Sequence, residues 1–146
     1  MMFRKLGILH PEKKDVSLVD DLLSLMQVHK ADYTQVFLAL QQDSVLDEPL
    51  FEQEDFQAWR QKWKTAHLTD ELKTRSLALM EKTNPKVIAR NHWVENALEA
   101  AVGGNMKLFD ELLTILSKPY AHHGDGLQFQ KTPAGFDAEY QTFCGT

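Results

Sequence analysis

Cysteine occurs once in the 146 residues, at Cys144, and the sequence contains no long uninterrupted run of apolar residues. A single cysteine cannot form a disulfide within the chain, so the composition gives no indication of an oxidising compartment. No window approaches the roughly 18 apolar residues of a membrane-spanning helix, and the apolar run at the amino terminus is too short for a signal peptide. The sequence therefore predicts a cytoplasmic protein.

An excess of basic residues is also missing, since the formal net charge is −5. The sequence thus carries no electrostatic signature of binding to nucleic acid or to an anionic membrane, and we expect neither as a partner. Hydrophobic residues make up 43% of the chain and charged residues 25%, which is typical of a soluble globular protein. The length suits about one domain with a sizeable core.

Motifs for phosphate, cofactor or metal binding are not found either. Neither G-x-x-x-x-G-K-S/T nor G-x-G-x-x-G occurs, so we predict no catalytic residue and no cofactor site in this chain. His122, His123 and Asp125 offer metal-binding groups, but adjacent histidines in a glycine-containing loop do not have the fixed i, i+4 spacing of zinc-binding helices. A solvated loop is the preferred interpretation, and no metal site is predicted.

Helical periodicity is what the sequence does contain, because apolar residues recur at helical spacing in six segments. The predicted helices cover 17–29 with Ser17 as cap, Asp32 to the QQDS stretch, 53–66, Thr69 or Asp70 to Asn84, Pro85 to Gly103-Gly104, and Asn105 to Pro119. No segment alternates polar and apolar residues for long enough to predict a strand. The predicted fold is all-α, with about six amphipathic helices packed in hairpins and an extended carboxyl-terminal tail.

The predicted helices divide the chain into three parts. Residues 1–16 show no cap or strand signal and are interpreted as the continuation of a preceding part. Residues 17–120 form the helical domain. Residues 121–146 contain four of the seven glycines and no sustained apolar period, which predicts an extended tail carrying Cys144.

Two places are candidate sites. Polar and cationic residues crowd at the predicted start of the fifth helix, where amide groups and a guanidinium could meet an acidic group on a neighbouring domain; the candidate docking residues are Asn84, Lys86, Arg90 and Asn91. The second place is Cys144, near the carboxyl end. A catalytic nucleophile needs a preorganised environment that a chain end rarely provides, whereas a thiol there suits a reversible disulfide with a cysteine outside this chain. From the residues alone, a cysteine without any role is an equally good interpretation.

Five stretches, taken in order, resemble the carboxyl-terminal third of the selenoprotein O family, also called YdiU. They read RKLGI, DLLSLMQVHKADYTQVFLAL, NPKVIARNHWVENALEAA, LLTILSKPYA and the closing YQTFCGT. The resemblance runs over nearly the whole chain. It is most specific at ADYT, NPKxxxRNH, PYA and the terminal cysteine, and it is looser in 41–80.

The resemblance implies a parent protein that is kinase-like in fold and transfers AMP from ATP to hydroxyl side chains of proteins. The residues that bind ATP and a divalent metal such as Mg²⁺ belong to the kinase-like part, which this chain does not contain. Residues 1–16 would then continue from that part. The chain would be a helical accessory region without catalysis of its own, with the kinase-like part and the protein substrates of the parent as its partners.

The resemblance also gives Cys144 an expected role. Many relatives have selenocysteine or cysteine near the end, followed by two small residues, and Cys144-Gly145-Thr146 fits this arrangement with Gly-Thr in place of the commoner Ser-Ser. This implies a redox handle that bonds to a cysteine of the missing catalytic part. The alternative function is an independent helical module that binds a protein through the 84–92 surface or the tail.

Overall fold

The computed structural model describes residues 1–42, 49–121 and 127–130. Within these ranges every regular element is helical, which confirms the predicted all-α fold. The α-helices are α1 Met2–Lys5, α2 Lys14–Val28, α3 Tyr33–Gln42, α4 Glu54–His67, α5 Lys73–Thr83, α6 Asn91–Val102 and α7 Lys107–Leu116, and the 3₁₀ helices are Pro49–Glu52 and Leu127–Gln130. Across the described ranges, no helix is long and apolar enough to cross a membrane.

One predicted helix start is confirmed by a capping hydrogen bond, at Asp32, whereas the N-cap of α7 is Met106 instead of the predicted Asn105 and makes no side-chain cap hydrogen bond. The Asp32 carboxylate accepts the Gln35 amide at 2.9 Å before α3, and the Asn105 side chain accepts the Lys107 amide at 3.1 Å before α7. Each side chain accepts a hydrogen bond from a backbone amide of the first helical turn, for which the helix itself offers no acceptor. The predicted end of α6 is also confirmed, because the helix stops at Val102 and Gly104 takes φ +85°.

The start of α2 differs from the prediction. The helix begins at Lys14, so Ser17 lies inside it, and the Ser17 hydroxyl donates to the Lys14 carbonyl at 2.8 Å instead of capping the start. The Asp15 carboxylate accepts the Glu12 amide at 2.7 Å just before the helix. The helix thus starts without a side-chain cap on its N-cap residue Lys13, and Asp15 ties its first turn to the preceding segment.

The start of α6 at Pro85 is wrong, because this helix begins only at Asn91. The amides of Lys86 and Val87 donate to the Pro119 carbonyl at 2.7 and 3.3 Å, which holds the segment out of helical geometry. Arg90 is extended, with φ −94° and ψ 132°. The correction therefore has a tertiary cause, a backbone contact with the far end of α7.

The chain divides into two units, Met1–Pro85 and Lys86–Thr146. The core of the first unit contains a row of stacked rings on α4, in which Phe56, Trp59 and Trp63 follow one another at 5.6 and 6.0 Å between centroids. The Trp63 indole donates to the Leu6 carbonyl at 2.9 Å, and the Trp59 indole donates to the Leu18 carbonyl at 2.8 Å. These bonds compensate for the burial of two indole N–H groups. They also connect α4 to the segment after α1 and to α2.

The second unit is built on the pair α6 and α7, joined by a short turn. Its core residues are Val87, Ala97, Leu112 and Phe129. Phe129 belongs to the 3₁₀ helix Leu127–Gln130, and its ring meets Trp93 of α6 edge-on at 4.8 Å. A residue of the predicted tail is therefore part of this core.

Candidate functional site

The first unit holds an interlocked group of side chains, here named the Lys5 cluster: Lys5, Tyr33, Phe37 and Asn84. The Asn84 side-chain amide donates to the Lys5 carbonyl at 2.9 Å, and the Lys5 ammonium donates to Asn84 Oδ1 at 3.4 Å. The same ammonium lies 5.3 Å from the Phe37 ring centroid and 5.7 Å from that of Tyr33. The cluster thereby fixes α1 to α3 and to the end of α5.

Burial sets the electrostatics of this cluster. It lowers the pKa of Lys5 below its usual value and raises the pKa of Tyr33, because desolvation disfavours the charged form of each group. The two aromatic faces act in the opposite direction, since ring quadrupoles attract the ammonium. The Tyr33 hydroxyl donates to the Met2 sulfur at 3.0 Å, which gives α1 a further attachment. The arrangement suits mechanical anchoring of the segment that opens the chain.

The cluster brings together three stretches that carry the family resemblance. Lys5 lies in RKLGI, Tyr33 in ADYT and Asn84 in NPK. Of these residues, sequence reasoning singled out only Asn84 as a site residue. The signal for Lys5 was its place in a recognisable stretch, but the partners of its ammonium lie 28 to 79 positions away, beyond the range of local patterns.

The four candidate docking residues do not share one environment. Asn84 is buried in the first unit, and Lys86 is buried in the second. Arg90 is half-buried just before α6, whereas Asn91, the first residue of α6, is exposed. Among these four residues, only Asn91 is exposed, since Arg90 Nε and Nη2 are buried.

A buried polar pair lies elsewhere in the first unit. His67 Nε2 is 3.0 Å from Asp15 Oδ1, and both side chains are buried. The His67 carbonyl accepts the Ser76 hydroxyl at 3.1 Å. Because buried polar groups are costly unless paired, we interpret this pair as a structural tie between the start of α2 and the end of α4.

The second unit has an apolar groove between α6 and α7, here named the α6–α7 groove, with a volume of about 140 Å³. It is lined by Val94, Ala97, Leu98, Phe109, Leu112, Leu113 and Leu116. Leu98 and Leu113 are 50% and 58% exposed. Contiguous apolar surface of this kind marks places where another group binds.

Within residues 1–42, 49–121 and 127–130, no group of three His, Cys, Asp or Glu side chains is placed to hold a metal ion. His122, His123 and Asp125 lie outside the residues that the structure describes, and so does Cys144.

Comparison with known proteins shows which family these features belong to. Residues 1–117 match the family described as "Protein adenylyltransferase SelO". The chain is similar to proteins named "Protein nucleotidyltransferase YdiU" from Clostridium botulinum (strain 657 / Type Ba4), with 45% identity over 148 residues, and from Bacillus cereus (strain ATCC 10987 / NRS 248), with 40% over 147. A third, from Alkaliphilus metalliredigens (strain QYMF), is 42% identical over 147 residues.

Each of these alignments covers 99% of the chain but 30% of the relative, so the chain spans less than a third of the length of the curated relatives it matches. The matched residues include the segments of the Lys5 cluster and both helices of the α6–α7 groove. The chain belongs to the protein adenylyltransferase SelO family.

Proposed function

We propose that this chain is the helical accessory region of a protein adenylyltransferase and has no catalysis of its own. The carrying observation is that relatives named as nucleotidyltransferases match it over 99% of its length while it spans only 30% of theirs. The parent protein transfers AMP from ATP to Ser, Thr or Tyr hydroxyls of protein substrates. ATP and Mg²⁺ are bound by the kinase-like part of that parent, which acts in the cytoplasm.

The partner of the accessory region is the kinase-like part of the same protein. Asn91 is the residue that we assign to this contact, because it is exposed at the start of α6. Arg90 precedes it in an extended conformation, and because its Nε and Nη2 are buried we place it among the residues that support the contact. Asn84 and Lys86 are buried and support the contact by fixing the backbone on either side of Pro85.

The contact can be tested by complementation. The kinase-like part, produced without this region, is mixed with the 146-residue chain, and transfer of labelled AMP from ATP to protein is measured. We expect transfer by the mixture to exceed that of the kinase-like part, and the chain alone to transfer nothing. Asn91→Ala should weaken the response to added chain, whereas Asn96→Ala, another exposed asparagine of α6, should not. Transfer that is independent of the chain would contradict the proposal.

Cys144 acts in this proposal as the redox handle. A small-molecule disulfide oxidises the Cys144 thiol and a cysteine thiol of the kinase-like part to one disulfide and is itself reduced to two thiols. The new bond restrains the kinase-like part until a thiol reductant breaks it. In the full-length protein, Cys144→Ser should abolish the effect of reductant on AMP transfer, and mass spectrometry of the oxidised wild type should find a linked peptide containing Cys144. Equal responses of wild type and variant, with no such peptide, would refute this role.

The alternative function is an independent helical module that binds another protein. The exposed leucines of the α6–α7 groove favour it, because they offer an apolar surface within this chain. The complementation experiment separates the two functions. An independent module would leave the activity of the kinase-like part unchanged.

A further inference from the structure

The α6–α7 groove has the capacity of one aromatic ring. Its volume is about 140 Å³ and all of its lining residues are apolar. An engineered apolar protein cavity of roughly 150 Å³ binds benzene, so this space matches a single phenyl group. Leu98 and Leu113 stand partly open at its mouth, which leaves the groove accessible from solvent.

The carboxyl-terminal segment starts from the same unit. Phe129 is buried against Trp93, so the chain is held on the second unit at the turn Leu127–Gln130. Residues 131–146 lie outside the described part and contain Phe136, Tyr140 and Phe143. From Gln130 to Phe143 there are 13 residues, which reach at most about 45 Å. A helix is only about 10–12 Å across, so this length is sufficient to pass around α7 to the groove.

Charge and polarity distinguish among the three aromatic residues. Phe136 stands next to Asp137 and close to Glu139, and would bring two carboxylates towards an apolar lining. The Tyr140 hydroxyl would enter a lining that offers it no polar side chain. Phe143 has uncharged neighbours on both sides, Thr142 and Cys144, and in the 146-residue chain the nearest carboxylate is the terminal one of Thr146, three positions away.

We propose that the phenyl ring of Phe143 occupies the α6–α7 groove of the same chain. The tether that starts at the Phe129 anchor supplies a high effective concentration, so a single ring is enough for docking. Docking places the adjacent Cys144 at the edge of the second unit. For the parent protein, this consequence rests on the proposed function: the groove would hold the redox thiol in a defined position when it is not bonded to the kinase-like part.

The experiment uses the isolated chain and the fact that Cys144 is its only cysteine. A nitroxide spin label on Cys144 broadens the signals of nearby methyl groups in nuclear magnetic resonance spectra. We expect broadening at the groove methyls of Val94, Leu98 and Leu113, and its disappearance when the nitroxide is reduced. The same broadening should be lost in Phe143→Ser and retained in Phe136→Ser. Loss in Phe136→Ser with retention in Phe143→Ser would overturn the assignment.

A groove variant and a matched control complete the test. Leu113→Asp should abolish the broadening, while Val16→Asp, which introduces the same charge at a site of similar exposure in the first unit, should not. A mixed sample shows whether the ring comes from a second copy. In it, one chain carries the spin label but no isotope label, and the other carries the isotope label but no spin label. Broadening in that mixture comparable with that in the singly labelled chain, or no broadening at the groove in any sample, would refute intrachain docking. Neither result depends on ATP or on AMP transfer, so failure here is distinct from failure of the proposed function.

Discussion

Replacing Asn84 by alanine tests whether the Lys5 cluster holds the first unit together. The substitution removes the 2.9 Å bond to the Lys5 carbonyl and leaves that acceptor without its partner. An unsatisfied buried group costs about 1–3 kcal/mol, whereas the 3.4 Å contact with the Lys5 ammonium is long and adds little. We expect the free energy of unfolding of the first unit to fall by about 2 kcal/mol, which raises its unfolded fraction roughly 30-fold.

The assay is urea unfolding followed by tryptophan fluorescence. Two of the three tryptophans, Trp59 and Trp63, belong to the first unit, so a Trp93→Phe background makes the signal specific to it. Asn105→Ala serves as the control, because it removes an exposed side-chain hydrogen bond in the second unit and should leave this transition in place. A change of less than about 0.5 kcal/mol for Asn84→Ala, the range of an ordinary surface substitution, would refute the reasoning.

Two further predictions concern the first unit, one at Gly7, with Gly104 of the second unit for comparison, and one at Lys5. Gly7→Ala should destabilise the chain by more than about 2 kcal/mol, since Gly7 has φ +68° and a Cβ would lie 2.8 Å from the Ser76 carbonyl oxygen; Gly104→Ala, at φ +85° in open space, should cost about 1 kcal/mol. Equal urea midpoints for the two variants would contradict this. The lowered pKa of Lys5 means that the unfolded chain binds more protons between the folded pKa and 10.5, so stability rises with pH in that window. Wild type should therefore gain stability relative to Lys5→Met as the pH rises towards 10.5, and a constant difference would show that Lys5 does not titrate as described.

The helices were predictable where the determining interactions are local. Asp32 caps α3 with its own side chain, and the Gly103-Gly104 pair ends α6, so the sequence pattern contains the whole cause. The start of α6 was not predictable in this way. Its position depends on the Lys86 amide bonding to Pro119, 33 residues later, and no periodicity encodes that contact.

The same distinction applies to the candidate site. Asn84 was identified because polar residues crowd around Pro85, yet its partner Lys5 lies 79 positions earlier in the chain. α1 was missed altogether, since four residues are too few to show a helical period, and what holds the segment is tertiary: Leu6 and Ile8 are buried in the first core. Cys144 lies outside the described residues, so its role as a redox handle stays a prediction.

The separation between Lys5 and Asn84 has a consequence for synthesis on the ribosome. Translation proceeds from the amino terminus at about 5–20 residues per second, so roughly 4–16 seconds pass between the addition of these two residues, which are 79 positions apart. Until Asn84 has left the exit tunnel, the Lys5 carbonyl has to be satisfied by water, and the nascent first unit lacks the bond that closes it. Co-translational folding of this unit therefore reaches completion only after its last residues emerge, and slowing elongation would prolong the interval in which chaperones can bind the unclosed chain.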